Sequence, residues 1–252
     1  MYYYIIEPSR GKFIKRNEKI KDILGSLGIA GETVSPNSAR TIEELTHIGI
    51  AKGYSTIVAV GSESLVNKVI TVLTTEHIAK DTVLGIIPND FNSELASIIG
   101  AKDLESACNI LKLRKLEALN LCLIEPNKYF ATTASIESNR NKEVYFSIEN
   151  LQGKALAKKV TVKPGLNVTF FDESLHGKTP EKFTRWLFGK DQRDIYTTNF
   201  ETKRIRFEGD KENLPVFVSG EIVAKTPVTF SNHPRLLKII VTRDRIQSEE
   251  KK

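Results

Sequence analysis

The chain has 252 residues, 40% of them hydrophobic and 27% charged, which is enough to bury one large domain or two small ones. This composition excludes a collagen, a low-complexity chain and a disordered tail, and no apolar run reaches the roughly 18 residues that a membrane-spanning helix needs. The net charge of +6 is uneven, because residues 1–113 hold 12 basic and 13 acidic residues, whereas residues 114–252 hold 25 and 18. The basic half favours an anionic partner, and a lysine-rich surface without a partner is the alternative.

The first half alternates short apolar runs with helical patterns. Strands are predicted at Tyr2–Glu7, Glu32–Ser35, Ser55–Val60 and Thr82–Ile87. Helices are predicted around Ile20–Leu27, Ile42–Ile48, Val66–Leu73, Leu95–Ile99 and Leu104–Leu111. Strands that are apolar throughout and alternate with helices predict an α/β fold with a mostly parallel sheet and helices on both faces.

The pattern changes near residue 114 to the period-two alternation of antiparallel strands. The alternating pairs are Val160 and Val162, Val168 and Phe170, Ile205 and Phe207, Val216 and Val218, Val228 and Phe230, and Ile239 and Val241. We therefore predict an α/β domain at 1–113 and a mainly antiparallel β domain at 114–252, with the last strand, near 236–242, packing back on the first domain. The exception is Glu181–Lys190, where Trp186 and its neighbours have helical spacing; this helix would either contact a membrane or cover the β half.

Two connections from strand to helix lie at the carboxyl ends of predicted strands, where open α/β sheets bind ligands. The first, at residues 61–64 (GSES), is a turn of small residues at a helix N-terminus, a geometry that binds phosphate through backbone N–H groups. A capped turn without a ligand is the alternative. The second connection crowds Asn89, Asp90, Asn92 and Ser93 at the start of a helix, and here the alternative is an ordinary N-cap.

These two connections resemble loops of the diacylglycerol kinase catalytic domain, in the superfamily shared with NAD kinases and sphingosine kinases. That family carries a GGDGTxNE loop, to which residues 61–68 (GSESLVNK) align without a gap. It continues with GIIPLGTGNDFA, and residues 85–96 (GIIPNDFNSELA) have the same length and the same start.

The resemblance extends to both ends of the chain. Residues 5–11 (IIEPSRG) look like the family's first strand and NPxSG loop, and Ser35 and Ala39 fall where the family has a T…A pair. Residues 219–221 (SGE) followed by Thr226-Pro227 are similar to its DGE turn and the TP that follows.

The resemblance implies transfer of a phosphoryl group from ATP, with Mg²⁺, to a lipid hydroxyl. Such catalysis consists mostly of positioning and of neutralising phosphate charge, with a carboxylate to orient the nucleophile. Carried onto this sequence, it makes Glu221 the general base, for which a surface glutamate in a turn is the alternative. The nucleotide-binding residues that it implies are Gly61, Ser62, Glu63, Ser64, Asn67, Ser9, Ser35, Asn89, Asp90 and Asn92.

Several residues depart from the family's motifs. Ser62 and Ser64 stand where it has glycines that let a phosphate approach the backbone, and Leu65 replaces a hydroxyl residue. Asp90 replaces a glycine and adds negative charge beside a polyphosphate, and Ser219 replaces the first carboxylate of the DGE turn.

Three functions are therefore compatible with the sequence. The leading interpretation is a divergent lipid kinase that uses ATP and Mg²⁺ and acts on, or is bound to, an anionic membrane. The alternatives are a non-catalytic relative that keeps the fold as a regulatory or scaffold protein, and an NAD-kinase-like enzyme. No nucleic-acid partner is expected, because an aromatic RNA-binding signature is missing.

The cysteines and histidines predict no special chemistry. Cys108 and Cys122 are too few for a disulfide scaffold and fit a reducing cytoplasm, which is the predicted location, with peripheral membrane contact as an addition. The four histidines have no spacing typical of metal ligands, so no metal is assigned to them.

Overall fold

The structure is a computed structural model that describes residues 1–8, 12–75, 81–149, 151–172 and 196–243. The fold is α/β, with a mostly parallel sheet towards the N-terminus and antiparallel strands towards the C-terminus, as the sequence predicts. The chain divides into two units, of which the first is Met1–Thr132 with His233–Lys252 and the second is Thr133–Asn232. The predicted helix at Glu181–Lys190 lies outside the described residues.

The first unit contains a mostly parallel sheet and five helices within the ranges given above. Its strands are β1 (Tyr2–Ile6), β2 (Glu32–Val34), β3 (Thr56–Gly61), β4 (Val83–Pro88), β5 (Lys115–Ile124) and β6 (Lys128–Phe130). Its helices are α1 (Lys12–Ser26), α2 (Ile42–Ala51), α3 (Glu63–Thr75), α4 (Glu94–Ile99) and α5 (Leu104–Leu113). Strands β4, β3, β1 and β2 pair in parallel in that order.

Local sequence signals set the helix ends. Helix α1 ends in a Schellman motif, in which Gly28 has a φ of +68° and its N–H donates to the carbonyl of Gly25, while the N–H of Ile29 donates to that of Leu24. Helix α2 begins with a capping box, because the Thr41 hydroxyl accepts from the Glu44 N–H and the Glu44 carboxylate accepts from the Thr41 N–H.

The core of the first unit explains the continuous apolar runs. All six residues of β3 and all six of β4 are buried, because helices cover both faces of a parallel sheet. At the centre of the sheet, Gly85 on β4 leaves room for the neighbouring Leu111 side chain from α5, which a Cβ at Gly85 would meet at 2.6 Å. The strand ends, with their polar residues, lie at the edge of this core.

The second unit is antiparallel. Its strands are β7 (Ala134–Ile148), β8 (Leu151–Lys163), β9 (Asn167–Asp172), β10 (Tyr196–Glu201), β11 (Arg204–Gly209), β12 (Pro215–Val218) and β13 (Glu221–Lys225). The last strand, β14 (Val228–Val241), pairs with β11 through its first residues. Neighbouring strands in the sheet follow the order β10-β9-β8-β7-β11-β14. Strand β12 also pairs with β7, and β13 pairs with β12.

Strand β14 differs from the prediction in one respect. The two alternating patterns at Val228–Phe230 and Ile239–Val241 belong to one strand of 14 residues rather than to two. Its C-terminal part lies in the first unit, where Ile239 pairs in parallel with Leu84 of β4, and β5 also pairs with β14. The predicted boundary at residue 113 falls at the end of α5, whereas the first unit continues through β5 and β6 to Thr132.

Within the part of the chain that the structure describes, no helix is both long enough and apolar enough to cross a membrane.

Candidate functional site

The candidate site lies at the carboxyl ends of three neighbouring parallel strands of the first unit. The N–H of Glu7, just after β1, donates to the carbonyl of Val60 at 2.8 Å, and the N–H of Asn89, just after β4, donates to that of Gly61 at 2.9 Å. These bonds continue the ladder beyond the ends of β1 and β4. The side chains that follow the three strands therefore meet at one edge of the sheet, where α/β proteins bind ligands.

The Glu7 carboxylate is the centre of this edge. Its Oε2 accepts a hydrogen bond from the Ser62 backbone N–H at 2.8 Å and another from the Asn89 side-chain amide at 2.7 Å. Its Oε1 accepts from the Ser62 hydroxyl at 2.8 Å. The Glu7 carboxylate thus accepts from the Ser62 N–H, which belongs to the loop that the sequence analysis predicted to bind phosphate.

Gly61 permits this arrangement. A Cβ at Gly61 would lie 2.8 Å from both the Cβ and the Oε2 of Glu7, which is closer than real Cβ atoms approach. The glycine that the motif keeps is therefore needed here for the approach of Glu7.

An arginine balances the charge of this edge. The two terminal nitrogens of Arg16, on α1, donate to the Asn89 side-chain oxygen and to the Pro88 carbonyl, each at 2.6 Å. The guanidinium carbon also lies 5.8 Å from the centre of the Phe91 ring. Burial lowers the pKa of Arg16, and the nearby Glu7 carboxylate opposes that shift. Asn89 is therefore held between a carboxylate and a guanidinium.

The rest of the first loop forms the start of α3. The Ser62 hydroxyl also accepts from the Leu65 N–H at 3.4 Å, and the Ser62 carbonyl accepts from the Val66 N–H at 3.1 Å. Glu63 and Ser64 are half-buried in the first turn of the helix. Leu65, which replaces a hydroxyl residue of the motif, is 1% exposed and belongs to the core. This substitution replaces a potential phosphate contact with a packing contact.

Asn67 has an internal role. It is 7% exposed, its amide donates to the Thr132 hydroxyl at 3.1 Å, and its side-chain oxygen accepts from the Ala131 N–H at 3.1 Å. These hydrogen bonds join Ala131, the residue after β6, to α3. This contact accounts for the asparagine without a nucleotide.

The second loop is a turn followed by a helix cap. The Asp90 carboxylate accepts from the Asn92 N–H at 2.9 Å, and the Ser93 hydroxyl caps α4 by accepting from the Ala96 N–H at 3.2 Å. The Ser93 hydroxyl also donates to the Asp90 carbonyl at 2.6 Å. Asp90 and Asn92 are exposed and bonded to each other, whereas Asn89 faces Glu7.

The contacts described above do not include three further candidates, Ser35, Ser9 and Glu221. Ser35 is exposed and directly follows the edge strand β2, and Ser9 lies outside the described residues. Glu221 is in the second unit, where it is the first residue of β13 and is exposed. Its assignment as a general base stays a prediction.

The SGE sequence before β13 has a local explanation. Ser219 and Gly220 have φ values of +53° and +79°, and they join β12 to β13 between the paired residues Val218 and Glu221. Two central residues with positive φ are typical of the type I′ turn that connects tight hairpins, and glycine and small polar residues favour it. The turn conformation by itself therefore requires residues of this kind.

The residues at the edge of the first unit do not fit an incoming polyphosphate such as that of ATP. A phosphate at this turn would compete with the Glu7 carboxylate for the Ser62 N–H, and that carboxylate would repel it. Asp90 adds a second carboxylate on the neighbouring loop. Within the described ranges, no group of three or more His, Cys, Asp or Glu side chains is placed to hold a metal ion by itself.

Glu7 and Arg16 are the residues that sequence reasoning missed. Glu7 directly follows a buried strand and stands where the NPxSG motif has its asparagine, which is the one signal in the sequence that could have pointed to it. Arg16 carries no such signal, because it lies in the middle of a helix and 73 residues before Asn89.

The fold defines the class of protein to which the chain is similar, which is that of the diacylglycerol kinases and NAD kinases. A crystal structure of a proposed diacylglycerol kinase from Bacillus anthracis str. Sterne matches 97% of this chain and 98% of its own, with a TM-score of 0.75 and 14% identity. A diacylglycerol kinase structure from the same organism matches with the same coverage and identity and a TM-score of 0.70.

A more distant neighbour is an NAD kinase from Archaeoglobus fulgidus in complex with ATP, with a TM-score of 0.53, 12% identity, and coverage of 98% of this chain and 96% of that one. No protein-family model matches the sequence, and no curated protein matches it either. The kinase-like fold that the loops predicted is therefore confirmed, and at these identities the likeness shows the fold alone.

Proposed function

We propose that the protein is a non-catalytic relative of the kinases with this fold, with a regulatory or scaffold role in place of phosphoryl transfer. The observation that carries this proposal is the Glu7 carboxylate bound to the Ser62 N–H, the Ser62 hydroxyl and the Asn89 amide. The anion that this loop holds is supplied by the chain itself.

Three substitutions support the same conclusion. Leu65 packs in the core where the motif has a hydroxyl residue, and Asp90 carries a negative charge where it has glycine. Ser219 forms a turn where the motif has a carboxylate. Phosphoryl transfer depends on placing donors and cations around the phosphates, and each of these changes removes a donor, adds negative charge or removes a metal ligand.

The test is calorimetry of the purified protein with Mg-ATP. We expect no saturable heat at millimolar nucleotide from a sample that circular dichroism shows to be folded. Saturable binding to the wild-type protein would overturn the proposal. An added assay for ADP release, with diacylglycerol vesicles or NAD as the acceptor, distinguishes the two kinase functions.

An active lipid kinase remains the second candidate, because proteins described as diacylglycerol kinases share the fold over nearly the whole chain. In that case Glu221 would be the general base. ADP release that depends on lipid vesicles and is abolished by Glu221→Gln would establish this function. Release that Glu221→Gln leaves unchanged would show either that Glu221 is not the general base or that a contaminating enzyme supplies the activity.

A further inference from the structure

Strand β10 lies at an edge of the second unit. All of its residues, Tyr196–Glu201, pair with β9 without a shift in register, and none of the strands that the structure describes pairs with its other side. Thr198, Asn199 and Glu201 are exposed. An edge strand carries a row of backbone N–H and C=O groups that can pair with a strand of another chain.

The hydrogen-bond pattern shows which backbone groups of β10 face away from β9. In an antiparallel pair, residues that bond to the partner strand alternate with residues whose groups point to the other side. Thr202, directly after β10, donates its N–H to the Leu166 carbonyl at 3.3 Å, and these two residues continue the register of the pair. Counting back in steps of two, the even-numbered residues of β10 also face β9. The N–H and C=O groups of Thr197, Asn199 and Glu201 therefore point outward.

The other described strands that have a single partner are protected against such pairing. Strands β2 and β6 have only three residues each. Strand β13 begins with Glu221 and ends with Lys225, and its pairing with β12 skips Val223 as a bulge. Short strands, charged side chains and bulges all prevent edges from joining other chains. Strand β10 has six residues without a proline, a lysine or a bulge, and its one charged residue, Glu201, is the last.

The aromatic part of the core also ends at β10. The ring of Phe200 lies 5.8 Å from the rings of Phe146 and Phe170, and that of Phe170 lies 6.1 Å from Phe207, measured between ring centres. Phe200 is on the edge strand and is half-buried. A strand added beside β10 would cover more of this side chain, and burial of apolar surface drives association.

We propose that β10 pairs in an antiparallel manner with β10 of a second copy of this chain, about a two-fold axis at Asn199. In this register Asn199 faces its own counterpart and Thr197 faces Glu201 of the second copy, so all the outward-facing backbone groups of both strands are paired. The one charge of the strand then meets no like charge. The edge is therefore complementary to itself, as a two-fold interface requires.

The oligomeric state tests the proposal. Size-exclusion chromatography with light scattering should give twice the mass of one chain at micromolar concentration, with dissociation on dilution. Asn199→Lys places two ammonium groups opposite each other at the axis and should raise the Kd of the dimer at least about tenfold. Thr33→Lys, at an exposed residue of the edge strand β2, adds the same charge and should leave the Kd unchanged. Because both positions are exposed, circular dichroism should show folded protein for each variant.

A cysteine at the axis tests the register. Residues directly opposite in a hydrogen-bonded antiparallel pair have Cα atoms about 5.5 Å apart, within the range of disulfides. Asn199→Cys should therefore cross-link two copies under mild oxidation, as a non-reducing gel would show. Cys108 and Cys122 are buried, so they should not compete, and Thr33→Cys is the control that should stay uncross-linked.

Three results would overturn the proposal. These are a wild-type protein that stays monomeric at high micromolar concentration, a dimer that Asn199→Lys weakens no more than Thr33→Lys does, and no more cross-linking in Asn199→Cys than in Thr33→Cys. A monomer that instead binds an extended peptide of another protein at β10 would contradict it as well. None of these results depends on whether the protein binds ATP.

Discussion

The strand ends of the first unit and the β10 edge of the second unit both present backbone donors, and they differ in how those donors are satisfied. The Ser62 N–H donates to the Glu7 carboxylate, whereas the N–H groups of Thr197, Asn199 and Glu201 have no acceptor among the residues that the structure describes. The sequence motifs predicted a ligand at the first region, but side chains of the chain itself already bind the donors of its loop. A loop that matches a motif can thus be closed by one side chain from a neighbouring loop.

The largest expected effect concerns Asn67, a motif residue of the closed region that is 7% exposed. Asn67→Ala should lower the free energy of unfolding by about 3 kcal/mol, because it leaves the Ala131 N–H without its acceptor and removes a partner of Thr132. Urea denaturation followed by circular dichroism measures it, with Asn120→Ala on the exposed side of β5 as the control. Equal losses in both variants would show that Asn67 is not structural.

The next effect tests how Glu7 closes the loop. Glu7→Ala should cost about 2 kcal/mol, because it removes the shared acceptor of Ser62 and Asn89. Glu7→Gln should cost only about 0.5 kcal/mol, since one amide oxygen can replace Oε2, the amide can donate to the Ser62 hydroxyl, and only the charge at the start of α3 is lost.

Urea denaturation of both variants separates hydrogen bonding from charge, and Glu18→Ala on the exposed side of α1 is the control. If Glu7→Gln loses as much stability as Glu7→Ala, the closure depends on charge. If neither variant differs from Glu18→Ala, Glu7 does not hold the loop closed, and the proposed function loses its main support.

A smaller effect is expected at Leu214, which lines a cavity of about 380 Å³ in the second unit. Thr226→Val keeps the shape of a side chain that is 1% exposed but leaves the Leu214 N–H without its acceptor, at a cost of about 1.5 kcal/mol. Thr229→Val, at a half-buried position on β14, is the control in the same denaturation experiment. If Thr226→Val costs no more stability than Thr229→Val, the hydrogen bond between Leu214 and Thr226 does not fix the rim of the cavity.

The smallest effect concerns a third carboxylate, at a helix cap. Asp103 accepts from the Ser106 N–H at 2.7 Å, and hydrogen bonds from Ser106 hold the pKa of Asp103 below its usual range. Because the pKa is lower in the folded state than in the unfolded state, the stabilisation is complete above the unfolded value. It is lost as the pH falls through the folded value.

Asp103→Asn keeps a good N-cap, so its stability relative to the wild type isolates the effect of the charge. Urea denaturation at several pH values should show a small advantage of the wild type near neutral pH that disappears in acid. Asp22→Asn, on the exposed face of α1, is the control. An advantage that persists unchanged in acid would show that the carboxylate charge is not its source.

Local patterns predicted the elements well where neighbours along the chain decide the outcome. The apolar runs at β3 and β4 are buried throughout, and α5 forms at Leu104–Leu113, where the apolar spacing predicted a helix. The separate patterns of Val228–Phe230 and Ile239–Val241 were misjudged, because they belong to one strand. Alternation weakens between them, and periodicity alone cannot show that a strand continues through such a stretch.

The candidate site was predicted in part. Sequence reasoning placed Ser62 and Asn89 at neighbouring strand ends, and the structure joins them through Glu7. It expected a nucleotide at that loop because the motif order suggested one. The roles of Asn67 and Leu65 as structural residues could not be read from the motif, because a kept or replaced residue looks the same in sequence whether it touches a ligand or the core.

The sequence by itself determined the alternation of strands and helices, the antiparallel second half and the two loops at the strand ends, because each depends on periodicity or on residues a few positions apart. Only the tertiary structure decided that Glu7 meets Ser62, 55 residues later, and that β10 pairs with β9 alone among the described strands. Such contacts depend on which strands lie side by side and where their pairing ends. Hydrogen bonds then fix the distances between these side chains within a few tenths of an ångström, and no local pattern in the sequence encodes such distances.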